Sequence, residues 1–211
     1  MLTLRGEIMP GDAERFVRFV LERREQFVEH GARVAFVIDG GDVLEAMRIG
    51  ELLRDAFVEA WLPDTGSTRC ISACFLMFAH CVSRRAVAET VGLHRPYFEA
   101  QALAEAAPEA VRARYEALGA QLRSRMSELA VPGALVERMF SLPAGEVYRL
   151  SMQDLEALGR RQAWFEDYLA ARCARPAMAQ ALPDSSTAAC TERLLREQRR
   201  TFVERFAAGA R

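Results

Sequence analysis

The sequence contains no lysine and no asparagine, and each absence excludes a class of catalytic site. Without lysine there is no Schiff-base enzyme, no Ser–Lys dyad and no phosphate-loop lysine. Without asparagine there is no Cys–His–Asn triad and no N-glycosylation site. Only three histidines, His30, His80 and His94, are available as an imidazole base, so the set of candidate general bases is short.

The chain also lacks an excess of charge and a long apolar run. Its 28 basic and 29 acidic residues give a formal net charge of −1, which provides no electrostatic reason to bind nucleic acid or an anionic membrane. No apolar run approaches the ~20 residues of a transmembrane helix, and no signal-peptide pattern opens the chain as given. No Cys-x-x-Cys pair supports a zinc site, and we expect neither a metal nor a cofactor.

The order of apolar segments predicts an α/β domain with a parallel sheet. The continuous apolar run Val34–Ile38 is typical of a buried parallel strand, and helical periodicity is found on either side of it, over 13–29 and 43–57. Further strands are predicted at 2–8, 58–62 and 88–93, and further helices at 108–129 and 191–206. This alternation of strands and helices predicts an α/β domain, and the change in composition from Arg172 onward indicates a helical tail.

Three short motifs lie at predicted strand-to-helix or strand-to-loop junctions, where the sites of α/β proteins gather. Gly40 and Gly41 follow the strand Val34–Ile38; such glycines either expose amides to an oxyanion or make a plain tight turn. Ser72 opens an apolar segment among small neighbours, as a nucleophile or a helix N-cap does. His94 ends a predicted strand, where it is a general base or a structural residue. No dinucleotide-binding or Walker pattern accompanies them.

In this order the three motifs resemble those of the Clp protease/crotonase superfamily. Ile38-Asp39-Gly40-Gly41 is similar to the strand-end glycine pair that contributes to the family's oxyanion hole. Ser72-Ala73 resembles its nucleophile and second oxyanion donor, and Leu93-His94-Arg95-Pro96 resembles the His-x-Pro step that carries its base. The resemblance covers about residues 2–165, which implies a Clp/crotonase-like domain over 1–165 and a helical tail over 166–211. The motif Cys-x-Ser-Ala-Cys around Ser72 makes bacterial periplasmic Clp-like proteins of unassigned function the closest group.

The resemblance implies a fold, a function and a substrate. The fold would be a Clp protease/crotonase-like spiral of parallel-sheet β-β-α units with a C-terminal helical tail. The function would be that of a serine hydrolase acting on a peptide or protein, with Ser72 as nucleophile and His94 as general base. The amides near Gly40, Gly41 and Ala73 would bind the oxyanion. Two alternatives stay open: a non-catalytic binding or scaffold protein, and an acyl ester or thioester hydrolase on the same fold.

The sequence departs from the Clp pattern at the third member of the triad. Clp proteases place an aspartate just before the segment that matches Leu150-Ser151, and Val147 stands at that position here. Glu146 is the closest acid, but a shift of one position along a strand points a side chain to the opposite face. The sequence therefore leaves open a Ser72–His94 dyad, a triad with Glu146, and a triad completed from elsewhere.

The five cysteines bear on the compartment of the protein. Cys173 and Cys190 flank a Pro/Ser-rich stretch and are the candidate pair for a disulfide, which suits the extracytoplasmic location of the resembled group. If the protein is cytosolic instead, both thiols stay reduced. Cys70, Cys74 and Cys81 are interpreted as packed thiols.

The predicted helix over 108–129 carries an apolar stripe that either packs on its own domain or forms an oligomer seam. Its members are Val111, Tyr115, Leu118, Leu122, Met126 and Leu129. In the Clp family the matching helix mediates ring contacts, so the resemblance implies a homo-oligomer, at least a dimer.

Overall fold

The structure, a computed structural model, describes residues 1–96, 107–173 and 185–209. The described strands are β1 (Leu2–Arg5), β2 (Arg33–Ile38), β3 (Glu59–Leu62), β4 (Arg69–Ile71), β5 (Ser83–Ala86), β6 (Val91–Leu93) and β7 (Tyr148–Arg149). The described helices are α1 (Asp12–Glu22), α2 (Arg24–His30), α3 (Val43–Asp55), α4 (Cys74–His80), α5 (Pro108–Glu128), α6 (Gly133–Ser141), α7 (Met152–Leu158), α8 (Ala163–Cys173) and α9 (Ser185–Gly209).

The strands form one mostly parallel sheet, as the sequence predicts. Its order is β5-β3-β2-β4-β6-β7, with β1 paired to β2, and only β6 and β7 run antiparallel among the described strands. Strands β2, β4 and β6 are therefore neighbours, and their carboxyl ends meet at the same edge of the sheet. Because Gly40, Ser72 and His94 follow these three strands directly, the topology brings the three predicted motifs to one place.

Several predicted elements differ from the observed ones. The helix predicted over 13–29 is two helices, broken at Arg23, where no glycine or proline marks the break. The strand predicted over 88–93 is shortened to β6, and β5 was not predicted because Ser83-Arg84-Arg85-Ala86 shows no apolar alternation. Strand β5 owes its conformation to pairing with β3, which is tertiary rather than local information.

The described tail packs on the α/β domain through apolar contacts and one buried arginine. Helix α9 contacts α1, α2 and α8, and its Phe202 joins the main core beside Phe27. Arg199 is 1% exposed and donates from Nε to the carbonyl oxygen of Val28 at 2.9 Å, which satisfies a carbonyl near the end of α2. Helix α8 runs across residue 165, where the sequence places the end of the α/β domain. That domain boundary stays a prediction.

The described part of the chain offers neither a membrane span nor an obvious metal centre. No helix within residues 1–96, 107–173 and 185–209 is both long and apolar enough to cross a membrane. Within the same ranges, no group of three His, Cys, Asp or Glu side chains is arranged to hold a metal ion.

His80 should make the fold sensitive to acid. Its ring is fully buried at the end of α4, where Nδ1 lies 2.7 Å from the carbonyl oxygen of Leu76. Burial lowers the pKa of His80 to about 4. Because the unfolded state takes up the proton near pH 6.5, the free energy of unfolding should fall as the pH drops from 6.5 to 4, by up to ~3 kcal/mol.

Urea unfolding at a series of pH values measures this loss. His80→Phe, which keeps a ring and removes the titrating group, should flatten the pH dependence between 6.5 and 4. The matched control is His30→Gln, since His30 is exposed at the end of α2 and should keep the wild-type profile. An unchanged profile in His80→Phe would assign the acid sensitivity to other groups.

Candidate active site

Ser72 lies at the turn between β4 and α4 in a conformation that non-glycine residues seldom adopt. Its φ is 62°, in the left-handed region, and its side chain is half-buried. The backbone on either side is fixed, because the Ser72 amide donates to the carbonyl oxygen of Gly92 at 3.0 Å and its carbonyl accepts from Phe75 at 2.9 Å. Left-handed backbone at a non-glycine residue is concentrated at functional sites, where the surrounding structure enforces it.

Gly40 lies directly against the Ser72 side chain. Its φ is 143°, and a Cβ added there would lie 3.1 Å from Cβ and 3.3 Å from Oγ of Ser72. Gly41 is equally confined by the chain on its other side, since a Cβ there would meet the carbonyl oxygen of Ile8 at 2.2 Å. A side chain at position 41 would collide with the backbone of Ile8, and one at position 40 would require Ser72 to shift, which explains the glycine pair in structural terms.

The amides that would bind an oxyanion are not used elsewhere in the described part of the chain. There the backbone amides of Gly40, Gly41 and Ala73 donate no hydrogen bond, while the Gly40 carbonyl accepts one from Ile8 at 3.0 Å. Ala73 immediately precedes α4, so its amide belongs to the unsatisfied donors of a helix start. Backbone amides without another acceptor are able to donate to a tetrahedral oxyanion.

His94 follows β6 and faces the same cleft, with its side chain half-buried. Its Nδ1 lies 2.9 Å from the carbonyl oxygen of Arg95. A carbonyl oxygen can only accept, so this contact places the proton of the neutral ring on Nδ1 and the basic lone pair on Nε2. That tautomer is the one in which a histidine accepts a proton from a serine hydroxyl.

A charged pair borders the glycines. The Arg69 guanidinium at the start of β4 donates to both carboxylate oxygens of Asp39, with an Nη2–Oδ2 distance of 2.7 Å. The hydrogen bond and charge of Arg69 lower the pKa of Asp39 below its usual range. The pair links the turn after β2 to the neighbouring strand, and sequence reasoning missed it because its two members lie 30 residues apart.

One cleft of about 1140 Å³ collects these groups. Asp39, Gly40, Gly41, Arg69, Ser72 and His94 line it on the sheet side. Its outer wall comes from the segment 5–10 and from α5, which contributes Arg114, Ala117, Leu118 and Gln121. A cleft of this size admits a peptide or another ligand of similar size.

Val147, which stands where the Clp pattern has an aspartate, lies next to His94. Strands β6 and β7 pair Gly92 with Arg149 and Leu93 with Tyr148, and the next pair in this register joins His94 to Val147. Val147 is 44% exposed and lies over Gly92. Glu146 is exposed, belongs to the turn before β7 and does not line the cleft of Ser72 and His94, so its role as third member stays a prediction.

The cysteines form two disulfides, one of which corrects the sequence interpretation. Cys173 and Cys190 are bonded, with Cα atoms 5.8 Å apart, which ties the end of α8 to α9. The interpretation of Cys70 and Cys74 as packed thiols was wrong, because they too are bonded to each other. Their spacing of four gives no hint of this, since the turn at Ser72 that brings them together depends on tertiary structure. Cys81 is a buried free thiol.

Gln162 is a further residue that sequence reasoning missed. Its side chain is buried, and its Nε2 lies 2.7–3.1 Å from the carbonyl oxygens of Ala79, His80 and Cys81. It thereby satisfies carbonyls at the end of α4, the helix that begins just after Ser72. No local pattern in the sequence distinguishes it from an exposed glutamine.

No protein-family model matches this chain, and no curated protein does. Solved structures do match. One is the 1510-N membrane-bound stomatin-specific protease, with a lysine replaced by alanine, in complex with a substrate peptide: 13% identity, TM-score 0.50, covering 76% of this chain and 72% of the protease chain. Another is the same protease with a serine replaced by alanine: 14% identity, TM-score 0.50, covering 82% and 84%.

At these identities the likeness concerns the fold. It extends over more than two thirds of both chains, and the fold of this chain has a mostly parallel sheet. The α/β architecture expected from the order of apolar segments is therefore confirmed. The chain has the Clp protease/crotonase-like fold.

Proposed function

We propose that the protein is a serine hydrolase that cleaves peptide bonds. The observation that carries the proposal is the meeting of Ser72, held at φ 62°, with Gly40 and His94 in one cleft. The shared fold supports a peptide substrate, because one of its members, the stomatin-specific protease, is a peptidase whose structure contains a substrate peptide.

The proposed mechanism uses the groups that line this cleft. Nε2 of His94 takes the hydroxyl proton while Oγ of Ser72 attacks the scissile carbonyl carbon. The negative charge that forms on the carbonyl oxygen is held by amides of Gly40, Gly41 and Ala73. His94 then returns the proton to the leaving amine, and a water molecule releases the acyl group by the same steps in reverse. Since the chain contains no lysine, a lysine cannot replace His94 as the base.

A fluorophosphonate probe, which phosphonylates activated serines, tests the proposal directly. We expect a single adduct on Ser72, located by mass spectrometry, and no adduct in Ser72→Ala. The substitution removes only a half-buried hydroxyl, so the free energy of unfolding should change by no more than ~1 kcal/mol. A folded wild-type protein that acquires no adduct would favour the alternative of a non-catalytic binding or scaffold protein.

The third function on this fold, acyl ester or thioester hydrolysis, uses the same nucleophile and differs in the leaving group. A panel of peptide, ester and thioester substrates separates it from peptidase activity. Turnover of thioesters without peptide cleavage would replace the proposed substrate class while keeping the roles of Ser72 and His94.

We also propose that the chain forms a homo-oligomer through α5. The stripe on this helix is buried in its own domain at Leu122, Met126 and Leu129, but only half-buried at Val111 and Leu118. Leu118 already lines the cleft and packs on the core, so the part of the stripe proposed to meet a second copy is the beginning of α5 around Val111. Light scattering at tens of micromolar should give at least the mass of a dimer, and a monomer would contradict the proposal.

The proposed location is extracytoplasmic. Two disulfides support it, since such bonds persist in oxidising compartments and are rare in the cytosol. Alkylation of the purified native protein, read by mass spectrometry, should find these four cysteines protected, and alkylated cysteines at both pairs would contradict the proposed location.

A further inference from the structure

A disulfide encloses the candidate nucleophile. Cys70 lies in β4, two residues before Ser72. Cys74 is the first residue of α4, two residues after Ser72. The bond between them brings their Cα atoms to 5.1 Å, and both cysteines are 0% exposed. The covalent ring therefore contains the whole turn, Ile71-Ser72-Ala73.

The conformation of Ser72 needs such a constraint. A non-glycine residue in the left-handed region carries a cost of about 1–3 kcal/mol and persists only where the surroundings enforce it. The hydrogen bonds to Gly92 and from Phe75 hold the backbone of Ser72, but unlike a covalent bond they can break when the turn rotates. A covalent link between the two flanking residues restricts that rotation directly.

Little movement can be tolerated at this position. The space between Gly40 and Ser72 is so narrow that a Cβ on Gly40 would lie only 3.3 Å from Oγ. A change of φ at Ser72 would swing Oγ relative to the Gly40 amide and relative to His94. Misplacement of a nucleophile by about 1 Å costs on the order of a hundredfold in rate.

We infer that the Cys70–Cys74 disulfide is a positioning element for Ser72, so that the nucleophile reacts rapidly only while the bond is intact. The inference rests on the proposed hydrolase function. If the bond only stabilised the fold, its loss would lower the melting temperature and leave the reactivity of Ser72 unchanged. The second disulfide, Cys173–Cys190, provides a matched control, since neither Ser72 nor His94 belongs to the elements it joins.

The experiment compares the wild type with Cys70→Ala/Cys74→Ala and Cys173→Ala/Cys190→Ala. One sample of each protein is labelled with the fluorophosphonate probe directly. A second sample is first incubated with a dithiol in mild denaturant, then diluted to remove the denaturant, and then labelled. The dithiol reduces the S–S bond to two thiols and is itself oxidised to its cyclic disulfide. Alkylation and mass spectrometry measure the state of each cysteine, and thermal melting measures stability.

Loss of the Cys70–Cys74 bond should lower the maximal rate of Ser72 labelling by ~10- to 100-fold. The probe concentration that gives half this rate should stay within about twofold. Reduction should have this effect in the wild type and in Cys173→Ala/Cys190→Ala, and reoxidation should restore the rate. Cys70→Ala/Cys74→Ala should be slow throughout and insensitive to the dithiol.

The reduced wild type keeps every side chain, so the test does not depend on how well the double alanine variant folds. Labelling at the oxidised rate in reduced, folded protein would overturn the inference and leave the proposed function intact. A wild-type protein that is not labelled at Ser72 in either state would overturn the proposed function, and the inference with it.

Discussion

Replacing His94 with glutamine is expected to slow the labelling of Ser72 by about 10²- to 10⁴-fold, the range typical of a lost general base. Glutamine is polar and close to histidine in size, but it has no nitrogen able to accept the Ser72 proton. His94 is half-buried after β6, so the melting temperature should change little. The measurement is the rate of fluorophosphonate labelling beside a thermal melt.

Glu146→Gln is the matched control, and it addresses the third member of the triad. Glu146 is exposed and outside the cleft, so its variant should label within about twofold of the wild-type rate. A loss as large as that of His94→Gln would instead establish a triad with Glu146. Wild-type labelling in His94→Gln would show that the base is elsewhere.

The expected result for Glu146 has a structural reason. In serine hydrolases the acid holds the histidine in the tautomer that is protonated on Nδ1. Here the Arg95 carbonyl lies 2.9 Å from Nδ1 and favours the same tautomer. A carbonyl orients the ring but supplies no full negative charge to the imidazolium, so a Ser72–His94 dyad supported in this way should be slower than a complete triad.

The parallel sheet could be predicted from local patterns, whereas the meeting of the three motifs was implied only by the resemblance to Clp proteases. Val34–Ile38 is apolar throughout, as a buried parallel strand must be, and Gly40 and His94 follow predicted strands, but strand β4 before Ser72 was not predicted. Once β2, β4 and β6 are neighbours, the positions of Gly40, Ser72 and His94 follow from chain direction alone.

The features that could not be predicted depend on contacts between distant segments. Strand β5 is polar and is a strand because β3 lies beside it. The Asp39–Arg69 pair forms only when β2 and β4 are adjacent. The Cys70–Cys74 bond requires the left-handed turn at Ser72, which the tertiary structure imposes on a residue without intrinsic preference for it. The ion pair and the disulfide lie beside the reactive residues of the candidate site, and neither could be predicted from the sequence.

Gly40→Ala should cost about as much activity as the loss of an oxyanion donor, 10²- to 10³-fold in labelling rate. The new methyl group would lie 3.1 Å from Cβ of Ser72, closer than carbon atoms pack, so either Ser72 or the Gly40 turn must shift. Either shift separates the Gly40 amide from the oxygen that Ser72 creates in the substrate. Alanine at φ 143° should also lower the free energy of unfolding, by about 1–3 kcal/mol.

Gly145→Ala separates the backbone effect from the contact with Ser72. Gly145 has a φ of 84°, so alanine is strained there too, but a Cβ at this position would have no heavy atom within 4 Å. Its variant should lose stability of the same order as Gly40→Ala and keep a labelling rate within about twofold of the wild type. If both variants lose rate in proportion to their lost stability, the approach of Gly40 to Ser72 is a packing feature. If only Gly40→Ala loses rate, Gly40 belongs to the oxyanion-binding site. The methyl group of the new alanine lies where the nucleophile and the glycine amides meet.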